Sequence, residues 1–531
     1  MSPPLRLLLP GKGALLGPVI KDKTTNVSKC YRFSRVPYAL PPTGKRRWRK
    51  PLPLPSNFSY GPENNPPTYY NKPSISCPQS PLLVSPGSSS EDCLQCNIYI
   101  PLGDPPSGGW PVFFYIHGGF LQYGSNNSDD PSSLLAETDV KCIIVCPNYR
   151  LGVFGFLAGR ELWDDTSAGN VGLWDQRAAL EWTYENIEFF GGNKENITVG
   201  GLSAGSYSTF HQLAYDIGPN SKRQIIRRII QWSNGCGVEP KQISEAQEQF
   251  DDLLSVLGIS RSLSGRQTVE VLRSKSTDEL IVAVGKMKQV FIRPFLDGEF
   301  ISKDLFTRIY DGSFGKRFKE LGIKTIVGDL TQEFQLYKNV FPPHSYERLI
   351  DRLSWDYPRS IAKAVCAKYK PDHTSPNYPK EHWIEIFGKL YADMQIHSTM
   401  RGFLVAISSD VPIESINRYR IDWRTESVDR RLPKIVGATH GTDMSIWFFG
   451  NGGFLNDNEK VLLREWLKPV ADFIKGDDFT WGTRSIQEVK FLTSDGNIQI
   501  REDDIFQQSL ELWNVSNAVI ESRNKSKQSK I

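Results

Sequence analysis

The chain has no apolar stretch approaching the ~18 residues needed to cross a membrane. Its first nine residues hold one arginine and a leucine run broken by prolines rather than a secretory core, so as written it reads as unexported. Charge of one sign is also lacking. Basic residues number 63 and acidic ones 59, a formal net charge of +4, and no basic face for nucleic acid is expected. The one dense basic run, Lys45-Arg46-Arg47-Trp48-Arg49-Lys50, lies between prolines and reads as a solvated loop. Metal-ligand spacing is missing too: Cys93-x-x-Cys96 has neither a second cysteine pair nor histidines at zinc spacing. No metal and no cofactor are expected. No repeat or long low-complexity linker divides the chain.

What is present suits a large packed globule, with 39% hydrophobic and 11% aromatic residues over 531 positions. Apolar runs read as strands at Asn97–Pro101, Pro111–Ile116, Lys141–Pro147, Ile229–Trp232, Ile323–Val327 and Lys434–Val436. Near-continuous runs of this kind suit a sheet buried on both faces. Helical periodicity over Asp175–Asn186 and mainly helical stretches at 240–320 and 345–420 alternate with them. This βαβα rhythm predicts a mostly parallel α/β sheet. Cys142 and Cys146 fall within one strand as inert thiols, whereas Cys77 and Cys93 bracket a Pro/Ser-rich loop that a disulfide can close. A disulfide suits an oxidising compartment and pulls against the missing leader. Residues 516–531 are polar and are expected to form a disordered tail.

The stretch Ile197-Thr198-Val199-Gly200-Gly201-Leu202-Ser203-Ala204-Gly205 organises the rest. It reads as a strand, a glycine-flanked serine, and the start of a helix. Gly201-x-Ser203-x-Gly205 has the spacing of a nucleophile elbow, whose strained turn lifts a serine hydroxyl above a sheet. Side chains at the flanking glycines would collide with backbone in so tight a turn.

Further motifs run collinearly with it. They include Val36-Pro37-Tyr38-Ala39, Glu91-Asp92-Cys93-Leu94 with Asn97-Ile98-Tyr99, and Trp110-Pro111-Val112 through His117-Gly118-Gly119. Asn148-Tyr149-Arg150-Leu151-Gly152, Asn170-Val171-Gly172-Leu173 with Asp175-Gln176-Arg177, and Phe190-Gly191-Gly192-Asn193 follow. In these motifs the chain resembles the type-B carboxylesterases and lipases, the cholinesterase-like branch of the α/β-hydrolases, and among them the fungal carboxylesterases. The resemblance implies one catalytic domain over residues 1–515, a mostly parallel central sheet flanked by helices with helical cap insertions. It implies a serine ester hydrolase working through an acyl-enzyme on a small ester, with no partner protein.

Serine is a weak nucleophile near neutral pH and needs a histidine base and an acid that orients it, in the chain order serine, acid, histidine. Of His344, His373, His382, His397 and His440, only His440 follows an apolar strand in a loop able to lean over the elbow. It also matches the family's histidine motif. Two acids follow the Ile323–Val327 strand, Asp329 directly and Glu333 four residues on. The family places a glutamate five residues beyond the glycine matching Gly328, which points to Glu333. Phe334 stands where the family has a glycine. The resemblance further assigns oxyanion N–H donors to Ala204 and to the glycine loop Gly118, Gly119 and Phe120. The family's third glycine is Phe120 here, and it can donate only if its position does not demand a positive φ. Leu202 replaces the glutamate that many relatives carry before the serine, which favours neutral esters over cationic ones. The alternative is a lipase in which Leu82-Leu83-Val84, between Cys77 and Cys93, acts as a small lid. A catalytically dead adhesion protein would lose the serine or histidine, and this chain keeps both.

Overall fold

The structure is a computed structural model that describes residues 3–63, 67–80, 89–164, 169–369 and 378–528. Its centre is an eleven-stranded sheet. In chain order the strands are β1 (Val19–Lys21), β2 (Ser28–Pro37), β3 (Gln95–Pro101), β4 (Trp110–Ile116), β5 (Ile143–Pro147) and β6 (Gly192–Leu202). They continue with β7 (Ile226–Trp232), β8 (Lys324–Leu330), β9 (Ile416–Ile421), β10 (Glu488–Leu492) and β11 (Ile498–Glu502). The spatial order is β1-β2-β3-β5-β4-β6-β7-β8-β9-β10-β11. From β5 to β10 the neighbours run parallel, and the outer pairs are antiparallel. A separate small sheet of Leu5–Leu9, Gly13–Gly17 and Thr68–Tyr69 packs against β2.

Strands β3, β4 and β5 are almost wholly buried, as their unbroken apolar runs require when helices cover both faces. The helix Val171–Asn186 packs on one face together with Ala204–Asp216, which begins directly after the serine. Burial pushes the Cys142 thiol up to about 12, in keeping with an inert core cysteine. Cys77 and Cys93 are joined by a disulfide. The Leu82-Leu83-Val84 segment between them lies outside the described residues.

Three expectations are corrected. Lys434–Val436 is a short 3₁₀ turn, not a strand, and Ile435 is 89% exposed. Pro433 and Gly437, the latter at φ 64°, confine the three residues, of which only Ile435 and Val436 are apolar, too closely for a strand to form. The strand lying beside β8 is instead β9, Ile416-Asn417-Arg418-Tyr419-Arg420-Ile421, fully buried despite two arginines. The basic run at 45–50 is only partly solvated: Arg47 is buried against Glu91, and the Trp48 indole N–H donates to the Val153 carbonyl at 2.7 Å. The chain end, which composition reads as a polar tail from residue 516, is helical from Phe506 to Gln528. Ile520 is buried and Arg523 pairs with Glu239. Sparse anchors of this kind hold a polar helix that composition alone reads as tail.

Candidate active site

Strand β6 delivers Ser203 at its C-terminal end, and the next residue opens a helix. Ser203 has φ 58° and ψ −119°, a backbone state that costs of order 1–3 kcal/mol and persists only where its surroundings enforce it. The glycines explain how. A Cβ on Gly201 would lie 2.4 Å from the Ile116 carbonyl oxygen, and one on Gly205 would lie 2.0 Å from the same atom. The Ser203 N–H donates to the Trp232 carbonyl at 2.8 Å, which locks the turn against β7.

Glu333 lies just past the end of β8 and is fully buried. Its Oε1 accepts the Leu330 N–H at 3.0 Å, and its Oε2 is 2.7 Å from Nδ1 of His440. The Tyr337 hydroxyl is 3.4 Å from the same nitrogen. Nε2 of His440 is buried and has no hydrogen-bond partner among the described residues. The histidine loop lies against the elbow, since a Cβ on Gly441 would meet the Leu202 side chain at 3.8 Å.

Asp329, the other acid of the pair, is engaged elsewhere. Its Oδ2 is 2.7 Å from both Nδ1 of His397 and a guanidinium nitrogen of Arg401. Burial alone would raise this carboxyl, but Arg401, then His397 and Arg420, outweigh burial and hold it well below 3.8. Arg401 and Arg418 both reach Asp503, so Asp329 belongs to a buried ionic cluster beneath the site.

The loop after β4 approaches the elbow closely: a Cβ on Gly118 would lie 2.9 Å from the Leu202 carbonyl oxygen and 3.3 Å from Cβ of Ser203. Burial pushes His117 down to about 4, and the neutral ring stacks on Tyr149 at 4.5 Å with Nδ1 2.8 Å from the Gly118 oxygen. Gly119 has φ 107°, and a Cβ there would collide with the Tyr123 carbonyl oxygen at 2.0 Å. Phe120 does adopt a positive φ, 56°, and Leu121 follows at 61°. Left-handed backbone costs a non-glycine residue roughly 1–2 kcal/mol. The N–H groups of Gly119 and Phe120 donate to no backbone carbonyl of a described residue. Ala204 opens its helix, so its N–H has no acceptor one turn back.

Ser203, Ala204 and Phe120 line one cleft with Tyr207, Asn234, Val238, Arg293, Tyr337 and Met394. The cleft encloses about 550 Å³ of atom-free space, its open mouth included. Sequence reading missed several of these residues. Arg293 and Asp356 are a charged pair in the cleft wall, with Nε of Arg293 2.6 Å from Oδ1. The signal was a lone arginine inside the apolar run Val290-Phe291-Ile292-Arg293-Pro294-Phe295. Asp443 was missed too. Burial, and then the charge on Glu333, push it up to about 7, while its Oδ2 accepts the Trp447 indole N–H at 2.7 Å. Among the described residues no group of three His, Cys, Asp or Glu side chains is placed to hold a metal. No helix among them is long and apolar enough to cross a membrane.

Comparison with known proteins bears on the family and the fold. A sequence model of the carboxylesterase family matches residues 6–495. A carboxylic ester hydrolase of Gibberella moniliformis is 40% identical over 502 residues, covering 92% of each chain. An uncharacterized esterase/lipase of Schizosaccharomyces pombe is 37% identical over 519 residues and 95% of each chain. Para-nitrobenzyl esterase of Bacillus subtilis is 32% identical over 480 residues, covering 86% of each. Aspergillus niger EstA superposes with a TM-score of 0.76 at 20% identity, over 98% of this chain and 99% of its own, a likeness of fold. The chain therefore belongs to the carboxylesterase family, a carboxylic-ester hydrolase on the α/β-hydrolase fold.

Proposed function

We propose that Ser203 is the nucleophile, His440 the general base and acid, and Glu333 the residue that orients the imidazole. The observation that carries this reading is the division of labour on one ring. Nδ1 of His440 is tied at 2.7 Å to a buried carboxylate, and Nε2 is left without a partner among the described residues. With Nδ1 holding its proton against Glu333, Nε2 is free to take the Ser203 proton as Oγ attacks the ester carbonyl. The Ser203–His440 hydrogen bond is not made in this structure; such bonds commonly tighten only around substrate.

The carbonyl oxygen becomes an oxyanion that the N–H groups of Gly119, Phe120 and Ala204 receive, with Gly118 setting their approach to Ser203. Each such donor is worth roughly 2.7–4 kcal/mol. Collapse expels the alcohol, which takes its proton from His440, and leaves an acyl-Ser203. Water then repeats the sequence, giving its proton to His440 and releasing the acid. Leu202 places an apolar side chain beside the elbow, and Arg293, the one cation among the described residues of the cleft wall, is already paired with Asp356. Both features support small neutral esters as substrates. The lid on which a lipase reading would rest lies outside the described residues.

The test is labelling with a serine-reactive phosphonate, mapped by mass spectrometry, alongside Ser203→Ala and His440→Ala. The adduct is expected on Ser203, and each variant loses several orders of magnitude in turnover. The double variant should lose little more than either single one, because triad members act as a unit. An adduct elsewhere, or losses that multiply, would refute the assignment.

A further inference from the structure

The loop that carries the Phe120 N–H holds two consecutive non-glycine residues, Phe120 and Leu121, at left-handed φ. A segment distant in sequence grips this loop. One Nη of Arg293 donates to the Phe120 carbonyl at 2.7 Å, while Nε of the same guanidinium holds Asp356 at 2.6 Å. The other Asp356 oxygen takes Arg352 at 2.7 Å, so the arginine is anchored from behind. The guanidinium carbon stands 5.8 Å from the ring centroids of both Phe120 and Phe291. Gln122 adds a second tie: its amide donates to the Phe120 carbonyl at 3.2 Å and to the Ile292 carbonyl at 2.8 Å. The Arg293 side chain is 11% exposed. It lines the cleft that holds Ser203, yet its donors are turned onto protein groups.

The geometry points to Arg293 as a positioning residue that holds the oxyanion loop in its left-handed form, doing for Phe120 what a third glycine does by freedom of φ. A guanidinium suits this task because its planar fork serves a carboxylate and a carbonyl at once. A peptide flip between Phe120 and Leu121 would leave the Arg293 donor without its acceptor and unhook Gln122. It would also release Leu121 from positive φ and change ψ at Phe120, loosening the backbone that aims the Phe120 N–H at the oxyanion. This inference rests on the proposed role of the Phe120 N–H as an oxyanion donor.

The decisive variants are Arg293→Met and Arg293→Lys, assayed on 4-nitrophenyl butyrate and with a trifluoromethyl ketone that adds Ser203 to form a stable oxyanion. Loss of one whole donor costs about 100- to 1,000-fold in kcat. Arg293→Met, which loosens a donor, should lower kcat by roughly 10- to 100-fold while KM stays within about threefold, as for an interaction made in the transition state. Trifluoromethyl ketone affinity should fall by the same factor. Arg293→Lys keeps the charge for Asp356 but replaces the rigid fork with a single nitrogen on a shorter side chain, and should fall between the parent and Arg293→Met. In a Phe120→Gly background, where positive φ is free of cost, the Arg293→Met loss should shrink to under about threefold.

A folded Arg293→Met enzyme with unchanged kcat, or with its whole loss in KM, overturns the inference. If Arg293→Met does not fold, unchanged kcat and ketone affinity in Arg293→Lys overturn it equally. The underlying reading is tested separately by replacing Phe120 with phenyllactate through nonsense suppression, which deletes the N–H and keeps the side chain. An unimpaired phenyllactate enzyme removes Phe120 as a donor. An impaired one alongside an unaffected Arg293→Met removes only the clamp.

Discussion

Changing Glu333 to glutamine alters one atom of the side chain and should disable the enzyme, for a reason the structure makes explicit. Oε1 of Glu333 accepts the Leu330 N–H at 3.0 Å, and Oε2 faces Nδ1 of His440 at 2.7 Å, with the carboxylate fully buried. A carboxylate accepts at both oxygens, but an amide has only one acceptor end. In Glu333→Gln the oxygen must stay on the Leu330 N–H, because turning the NH₂ there would bury two donors face to face. The NH₂ then meets Nδ1 and forces the tautomer that carries its proton on Nε2, which cannot take the Ser203 proton. In serine proteases the same acid-to-amide change lowers kcat about 10⁴-fold through the wrong tautomer, roughly 5 kcal/mol of transition-state stabilisation. A loss of that order is expected here, with little change in the melting temperature because the shape is kept. Asp329→Asn should do the opposite. It removes charge from a buried cluster bonded to His397 and Arg401 at 2.7 Å, and breaking such pairs costs about 3–5 kcal/mol of stability. The folded fraction should keep turnover within about threefold, a change of under 1 kcal/mol in the barrier. Steady-state kinetics on 4-nitrophenyl butyrate, normalised to active sites and paired with thermal unfolding, reads both. Abolished turnover in Asp329→Asn with mild loss in Glu333→Gln would move the acid to Asp329 and refute the argument.

Asp443 should give a stability signature in pH. Its folded pKa is raised to about 7, chiefly by burial and then by Glu333, so its contribution is full below pH ~4, declines as pH rises and is gone above about 7. The melting temperature of Asp443→Asn relative to the parent should therefore climb between pH 4 and 7 and level off above about 8; a flat difference would refute the shift. The Cys77–Cys93 bond closes a loop of sequence separation 16, and loop closure of that length is worth ~3 kcal/mol. The double serine variant should lose about that much in denaturant unfolding, and equal stability would show the loop unconstrained by its crosslink. Butyrylcholine should be hydrolysed with no large advantage over its uncharged isostere 3,3-dimethylbutyl butyrate. A kcat/KM preference for the cation above about 30-fold, the most a cation–π contact supplies, would mean that a choline site exists.

The elbow was legible because its cause is local. A Cβ on Gly201 would lie 2.6 Å from the Gly205 carbonyl carbon within the same turn, so spacing carries that information, and the Ile116 carbonyl of β4 only reinforces it. The parallel strands from β4 to β8 were legible for a similar reason: a strand covered on both faces needs an apolar run, and hydropathy along the chain displays it. Hydropathy failed at β9, where Arg418 is buried because Asp503, 85 residues further on, neutralises it. It failed at Lys434–Val436, where a lysine and two apolar residues form a short turn with Ile435 exposed. The two candidate acids could be separated only by resemblance, since both follow one strand and differ in what reaches them. Arg401 and His397, about 70 residues away, occupy Asp329, and His440 meets Glu333 across 107 residues. Phe120 followed the same pattern. Sequence alone made its positive φ an obstacle, and only the fold brings up Arg293, 173 residues distant, to grip the carbonyl beside it. Local sterics and burial are written residue by residue, whereas the pairing of buried charges depends on which distant segments the fold brings together, and that only the tertiary structure decided.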